Sequence, residues 1–213
     1  SSPEPLADGA QTAALAKGEA QAELTPAALR AASIQTIQQN ASSAYFIKDI
    51  TADNRAHRLQ ARFEQDGVTL RGDDEAYEAT LDLIALRRGD TRHATKAVAP
   101  SFDKNEVRYH HPELDVSEWY LNGPLGIEQG FDLGSRPTGT AGDDLVIEIA
   151  LRGDLQARTN GANIVLYNET TTLQYAELFV SDDEGSPVEA SLKLVDGVIE
   201  IQGEHRDTLV AEL

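Results

Sequence analysis

Beyond residue 44, apolar and polar residues alternate in short runs, and this period of two restricts the fold more than any other feature of the sequence. Residues at every second position of a β-strand share one face, so such runs predict strands with one buried face. Turn-forming Gly, Asp and Asn separate the runs, and no helical pattern occurs after residue 43. The sequence therefore predicts an all-β antiparallel β-sandwich, built as one large sandwich or two packed modules. One face of the clearest run comprises Tyr77, Ala79, Leu81, Leu83 and Ala85.

A Gly-, Pro- and Thr-rich stretch, residues 134–142, marks the best internal boundary of the β-rich part. It would separate a first β-module, residues 44–133, from a second, residues 143–213. The same stretch also fits a long loop within a single sandwich, and we favour two layered sheets in one compact unit.

The first 24 residues are rich in Ala, Glu, Gln, Pro and Gly and contain no aromatic residue. A segment of this composition buries too little apolar area to offset its ordering entropy, so residues 1–24 are predicted to be a flexible leader. Its Ser-Ser-Pro-Glu-Pro start is typical of a chain after signal-peptide removal, which predicts an extracellular or cell-surface protein.

A helix is predicted next, within residues 25–43. Thr25 is a favourable N-cap and Pro26 suits the first helical position. Leu29, Ile34 and Ile37 form a thin apolar stripe that we expect to face the body of the protein.

Charge and cysteine content exclude several classes of function. The chain has 36 acidic and 18 basic residues, a formal net charge of −18, and this charge repels nucleic acids and anionic membranes. Because cysteine is absent, there are no disulfides, thiolate metal sites or cysteine nucleophiles. No apolar run is long enough for a transmembrane helix.

Residues 118–131 are the least generic part of the sequence and read Glu-Trp-Tyr-Leu-Asn-Gly-Pro-Leu-Gly-Ile-Glu-Gln-Gly-Phe. Together with residues 54–63 and 66–68, this run resembles a β-domain near the N-terminus of large exported bacterial proteins that carry FG-GAP (integrin-like) or related β-propeller repeats. The resemblance extends over residues 44–201, and the chain itself shows no such repeat. It implies a secreted or cell-surface, non-enzymatic structural or interaction module whose partners are proteins, either other copies or the rest of a larger surface protein. It supplies no catalytic residues.

Two neighbouring aromatic residues suggest an alternative, a carbohydrate-binding module. Trp119 and Tyr120 would provide a platform for a sugar ring, with Glu118 and Asn122 as hydrogen-bonding neighbours. Because adjacent strand residues point to opposite faces, the same pattern also fits a core Trp that anchors a tight corner.

A more remote alternative is a glycosidase, which needs two carboxylates facing each other across a cleft. Glu118 and Glu128, which flank the aromatic pair, are the candidates. The sequence contains no nucleophile elbow and no phosphate-binding loop that would indicate another enzyme class.

Acidic residues also cluster in predicted turns, at residues 73–75, at residues 143–144 and, in the last such cluster, at Asp182, Asp183 and Glu184. Calcium binds loop carboxylates, so this cluster is the candidate for a structural calcium ion, although an EF-hand pattern is absent. No other cofactor is expected.

Overall fold

A computed structural model describes residues 26–140, 142–182, 184–203 and 210–212, so the predicted leader lies outside the described residues. These residues form antiparallel sheets and one α-helix, which confirms the predicted all-β class. The helix is α1 (Pro26–Gln39), and the strands are β1 (Thr51–Asn54), β2 (Leu59–Glu64), β3 (Gly67–Gly72), β4 (Glu78–Arg88), β5 (Thr91–Ala94), β6 (Ser101–Asp103), β7 (Glu106–His111), β8 (Val116–Gly123), β9 (Gly126–Leu133), β10 (Leu145–Gly153), β11 (Gln156–Asn160), β12 (Asn163–Tyr167), β13 (Thr172–Tyr175), β14 (Phe179–Ser181), β15 (Ala190–Val195), β16 (Val198–Gly203) and β17 (Val210–Glu212).

Two large sheets enclose the core. The first sheet has the strand order β1-β2-β3-β4-β10-β16-β15, with β5 paired to β4, and the second has the order β14-β17-β9-β8-β7-β6. The ring of Phe63 in the first sheet lies 5.5 Å from that of Tyr120 in the second, which shows that the two inner faces touch. A small third sheet, β11-β12-β13, adds Ile164, Leu166 and Tyr175 to the same core.

Strand pairs join the two predicted modules across the stretch 134–142. Strand β10 pairs with β4 in the first sheet, and β17 pairs with β9 in the second. Both sheets therefore contain strands from both halves of the β-rich chain, and the halves share one core.

A β-bulge corrects one detail of the predicted strand pattern. Ile149 pairs with Leu83 whereas Glu148 pairs with Ala85, so Ile84 is an extra residue in β4. Beyond it the faces exchange, and Leu86 joins the core cluster. Ala85 is also fully buried, but it lies on the other face beside its partner Glu148, which pairs with Arg87 and Arg92. Of the predicted inward-facing residues, those before the bulge keep their position in the core: Tyr77, Ala79, Leu81 and Leu83.

Helix α1 forms where it was predicted, but it turns a different face inward. Leu29 and Ile37 are 51% and 47% exposed, whereas Ala28, Ala31 and Gln38 are buried. Small alanines allow the helix to approach the protein closely, and Gln38 fixes its rotation through polar contacts. The predicted apolar stripe is therefore wrong for Leu29 and Ile37.

Four buried side-chain amides hold α1 and the β8–β9 hairpin together; they belong to Gln38, Asn54, Asn105 and Asn122. Asn54 Nδ2 donates to Asn122 Oδ1 at 2.9 Å and to the carbonyl of Gly123 at 2.8 Å. Asn105 Nδ2 donates to the carbonyls of Gln38 and Asn122, at 2.8 and 2.9 Å. This amide network therefore connects the helix, β1, the β6–β7 turn and the hairpin.

Gln38 completes the network at the hairpin turn. Its Oε1 accepts a hydrogen bond from the backbone N–H of Leu125 at 3.1 Å, and its Nε2 donates to the carbonyl of Gly126 at 3.2 Å. A Cβ at position 123 would lie 2.1 Å from Gln38 Oε1, so Gly123 is needed for this close approach.

We expect Asn54→Ala to lower the free energy of unfolding by about 2–4 kcal/mol, because it leaves Asn122 Oδ1 and the Gly123 carbonyl buried without this donor. Urea denaturation measures the change. The matched control is Asn40→Ala, which removes an exposed amide bonded to the Thr36 carbonyl and should cost less than about 0.5 kcal/mol. Equal effects of the two substitutions would contradict a structural role for the network.

Candidate functional site

The β8–β9 hairpin contains all four residues nominated for sugar binding, and its pairing decides where each side chain points. Tyr120 pairs with Gln129 and Trp119 pairs with Gly130, so Trp119 and Tyr120 point to opposite faces, as strand geometry predicts. Glu118, Tyr120 and Asn122 share the inner face with Gln129.

Trp119 is buried, with 2% of its surface exposed. Its indole lies directly on Gly130, where an added Cβ would be 2.0 Å from Cζ2, and Nε1 donates to Asp132 Oδ1 at 3.1 Å. Tyr120 is equally buried. A sugar ring stacks on an exposed aromatic face, so the predicted platform of Trp119 and Tyr120 is wrong. Trp119 is buried, as the alternative of a core Trp expects, but it lies in mid-strand on the face opposite Tyr120 and not at a tight corner.

Asn122 is also used internally. Its Oδ1 accepts from Asn54, and its Nδ2 donates to the carbonyls of Tyr45 and Asp53 at 2.9 and 3.1 Å. These bonds use both amide hydrogens. The nominated ligand-binding residue is therefore part of the amide network.

Glu118 is the centre of a buried hydrogen-bond network between the sheets. Its Oε1 accepts from the Tyr120 hydroxyl at 2.6 Å and from Gln129 Nε2 at 2.7 Å. Gln129 Nε2 also lies 2.8 Å from the Tyr120 oxygen, and Gln129 Oε1 accepts from the Tyr175 hydroxyl at 2.7 Å. Burial raises the pKa of Glu118 to about 7, and the bonds from Tyr120 and Gln129 oppose that rise.

The pairing of β8 with β9 also separates the two carboxylates proposed for a glycosidase. Glu118 pairs with Phe131, whereas Glu128 pairs with Leu121, the neighbour of Tyr120 on the other face. Glu118 and Glu128 thus point to opposite faces of the second sheet. They cannot face each other across one cleft, so the predicted catalytic pair is wrong.

In the acidic turn at residues 182–184, Asp182 has a structural role. Asp182 Oδ1 accepts from the backbone N–H groups of Glu184 and Ser186, at 3.1 and 2.7 Å, which stabilises the turn. Asp183 lies outside the described residues. Among the residues that the structure describes, no three His, Asp or Glu side chains are grouped to hold a metal ion, and calcium at Asp182, Asp183 and Glu184 stays a prediction.

Sequence reasoning missed the outer face of α1, which comprises Leu29, Ser33, Thr36 and Ile37. The hydroxyls of Ser33 and Thr36 donate to the carbonyls of Leu29 and Ala32, at 2.8 and 2.7 Å, so they are satisfied within the helix. Arg30 is the only charged residue between Pro26 and Gln39, and it pairs with Glu177 at 2.8 Å. On a chain of net charge −18, this face carries two large apolar side chains and two satisfied hydroxyls and is nearly uncharged.

Two further findings bear on the class of the protein. In the described ranges α1 is the only α-helix, and no helix there is long and apolar enough to cross a membrane. Comparisons of the chain with protein-family models, curated proteins and solved structures each found no match. The fold therefore defines the class, an all-β sandwich, and function has to be argued from the chain itself.

The raised pKa of Glu118 predicts how stability depends on pH. The folded state keeps the proton to a pH of about 7, whereas an exposed Glu loses it near pH 4.5, so stability from this group is complete below pH 4.5 and is lost as the pH rises to 7. In Glu118→Gln this loss is absent. The free energy of unfolding of the variant should therefore rise relative to wild type by about 3 kcal/mol across that range.

Urea denaturation at several pH values measures this difference. Burying the amide side chain of the Glu118→Gln variant also costs free energy, but this cost is the same at every pH and does not alter the pH dependence. The exposed Glu169→Gln is the control and should follow wild type. Parallel pH profiles for Glu118→Gln and wild type would show that folding does not raise the pKa of Glu118.

The contact of Trp119 with Gly130 predicts a coupled pair of substitutions. Gly130→Ala should destabilise the protein by about 2 kcal/mol, because the new Cβ overlaps the indole. In a Trp119→Leu background the same substitution should cost much less. A double-mutant cycle on unfolding free energies measures the coupling, and additive costs would show that the indole does not occupy this position.

Proposed function

We propose that the chain is a non-enzymatic structural and interaction module of a secreted or cell-surface protein, and that it associates with a second copy through the outer face of α1. Its resemblance to β-domains of large exported bacterial proteins supports the surface setting. The internal use of Glu118, Trp119, Tyr120 and Asn122 supports a structural role for the most distinctive segment.

The observation that carries the proposal is the exposure of Leu29 and Ile37 on this nearly uncharged face. Apolar side chains at an interface gain free energy when they leave water. Two copies that each carry a net charge of −18 repel each other, so they approach best through a face without carboxylates. Within the described residues, the outer face of α1 has exposed apolar side chains and contains no Asp or Glu.

The small size of the outer face of α1 and the net charge of the chain determine how strongly two copies associate. One short helix buries less than the roughly 800 Å² per partner of a standard interface, so the dimer is weak and transient. Added salt screens the repulsion between the copies, with a Debye length of about 10 Å at 0.1 M, and should strengthen association.

Sedimentation velocity over a range of protein concentrations tests this proposal in low and high NaCl. We expect a larger weight-average sedimentation coefficient at high salt, and we expect the double variant Leu29→Gln/Ile37→Gln to remain monomeric. These replacements are good helix formers on an exposed face, so α1 should be retained.

The matched control is Phe102→Gln/Val195→Gln, which changes two residues of similar exposure, 39% and 44%, on strands β6 and β15 and not on the helix. It should associate as wild type does. A monomer in every condition, or loss of association in the control alone, would overturn association through α1.

A further inference from the structure

A cavity of about 650 Å³ opens between α1, the β8–β9 hairpin and β13 and extends into the core. Its volume lies within the range of pockets that hold small organic ligands. We propose that this cavity binds one uncharged, mainly apolar small molecule that carries a hydroxyl group. This inference goes beyond association through α1 and does not depend on it.

The wall of the cavity determines the apolar part of the ligand. Leu59, Leu70 and Leu81 line it from the first sheet, Ile127 from the hairpin, and Leu166 and Leu173 from the third sheet. Leu70, Leu81 and Leu166 are each less than a tenth exposed, so the cavity reaches the protein interior. Apolar walls leave water with few hydrogen-bond partners, and unfilled space loses dispersion contacts, which favours an apolar occupant.

The polar floor determines the head group. Tyr120, Gln129 and Tyr175 line the cavity, and their donor hydrogens are used within the network: Tyr120 donates to Glu118, Tyr175 donates to Gln129, and Gln129 Nε2 contacts both Glu118 and Tyr120. The Tyr175 oxygen can still accept a hydrogen bond. The floor therefore suits a hydroxyl, which donates, better than a carboxylate, which only accepts.

Charge at the entrance favours the same ligand. Arg30 also lines the cavity, and its guanidinium pairs with Glu177 at 2.8 Å, so an anionic ligand would have to compete with Glu177 for this cation. Glu118 lies directly behind the Tyr120 hydroxyl, and the whole chain is acidic. An anionic head group would therefore meet negative potential at this floor.

Binding is tested with Nile red, an uncharged dye whose fluorescence increases in apolar surroundings. We expect saturable binding of one dye per chain. Dodecanol should displace the dye, and dodecanoate, which has the same chain length, should require at least about ten times the concentration at pH 8. Non-saturable binding, or equal displacement by the alcohol and the carboxylate, would overturn the proposal, and neither measurement needs a variant.

Matched variants locate the site. Leu173→Trp places a larger side chain in the cavity wall and should weaken dye binding at least about tenfold. Leu194→Trp makes the same change at another partly buried leucine that packs on the core, and it should leave binding unchanged. Circular dichroism checks that each variant is folded.

The double variant Leu29→Gln/Ile37→Gln separates this site from the outer face of α1 and should bind the dye as wild type does. If that variant loses the dye while Leu173→Trp keeps it, the dye binds the helix surface and the cavity proposal is wrong. Association through α1 is measured without any ligand, so the two proposals can fail independently.

Discussion

The hydrogen bonds among Gln38, Asn54, Asn105 and Asn122 determine how the parts of this protein fit together. The helix, the first strand of one sheet and two turns of the other meet at these buried amides, and each amide bonds to groups from another segment. Buried amides cost free energy unless their partners are in place, so this arrangement tolerates little displacement. It orients α1 with Gln38 inward, and Leu29 and Ile37 are exposed as a consequence.

A second polar cluster in the core has a different character. The amide network joins segments, whereas Glu118, Tyr120, Gln129 and Tyr175 connect β8 and β9 with the third sheet beside a large cavity. A carboxyl group with a pKa raised by burial lowers stability at neutral pH. In a chain without disulfides, apolar packing of the two sheets has to offset that cost. A ligand in the cavity would add to this packing, which links the proposed binding site to the stability of the fold.

Prediction from sequence worked best for features that depend only on residues close together in the chain. Alternation predicted the sheet class and the inward faces of Leu81 and Leu83, and Pro26 predicted the start of the helix. It failed for Ala85 because the bulge at Ile84 is defined only by pairing with β10, whose residues Glu148 and Ile149 come more than 60 positions later in the chain. It failed for Leu29 and Ile37 because polar contacts of Gln38 outweigh the small apolar difference between helix faces. An inward polar residue in a strand, such as Glu118, is a signal for a buried network, but its partners Gln129 and Tyr175 become neighbours only after folding.

The amino-acid sequence by itself determined the period of the strands, the position of the helix, the excess of negative charge and the absence of thiol chemistry. These properties depend on residue type and on neighbours within a few positions. Only the tertiary structure decided that Glu118 and Glu128 lie on opposite faces, that Trp119 is buried on Gly130, and that a cavity remains beside Tyr175. Those outcomes depend on the register between strands and on how sheets pack, which are set by contacts between residues distant in the chain.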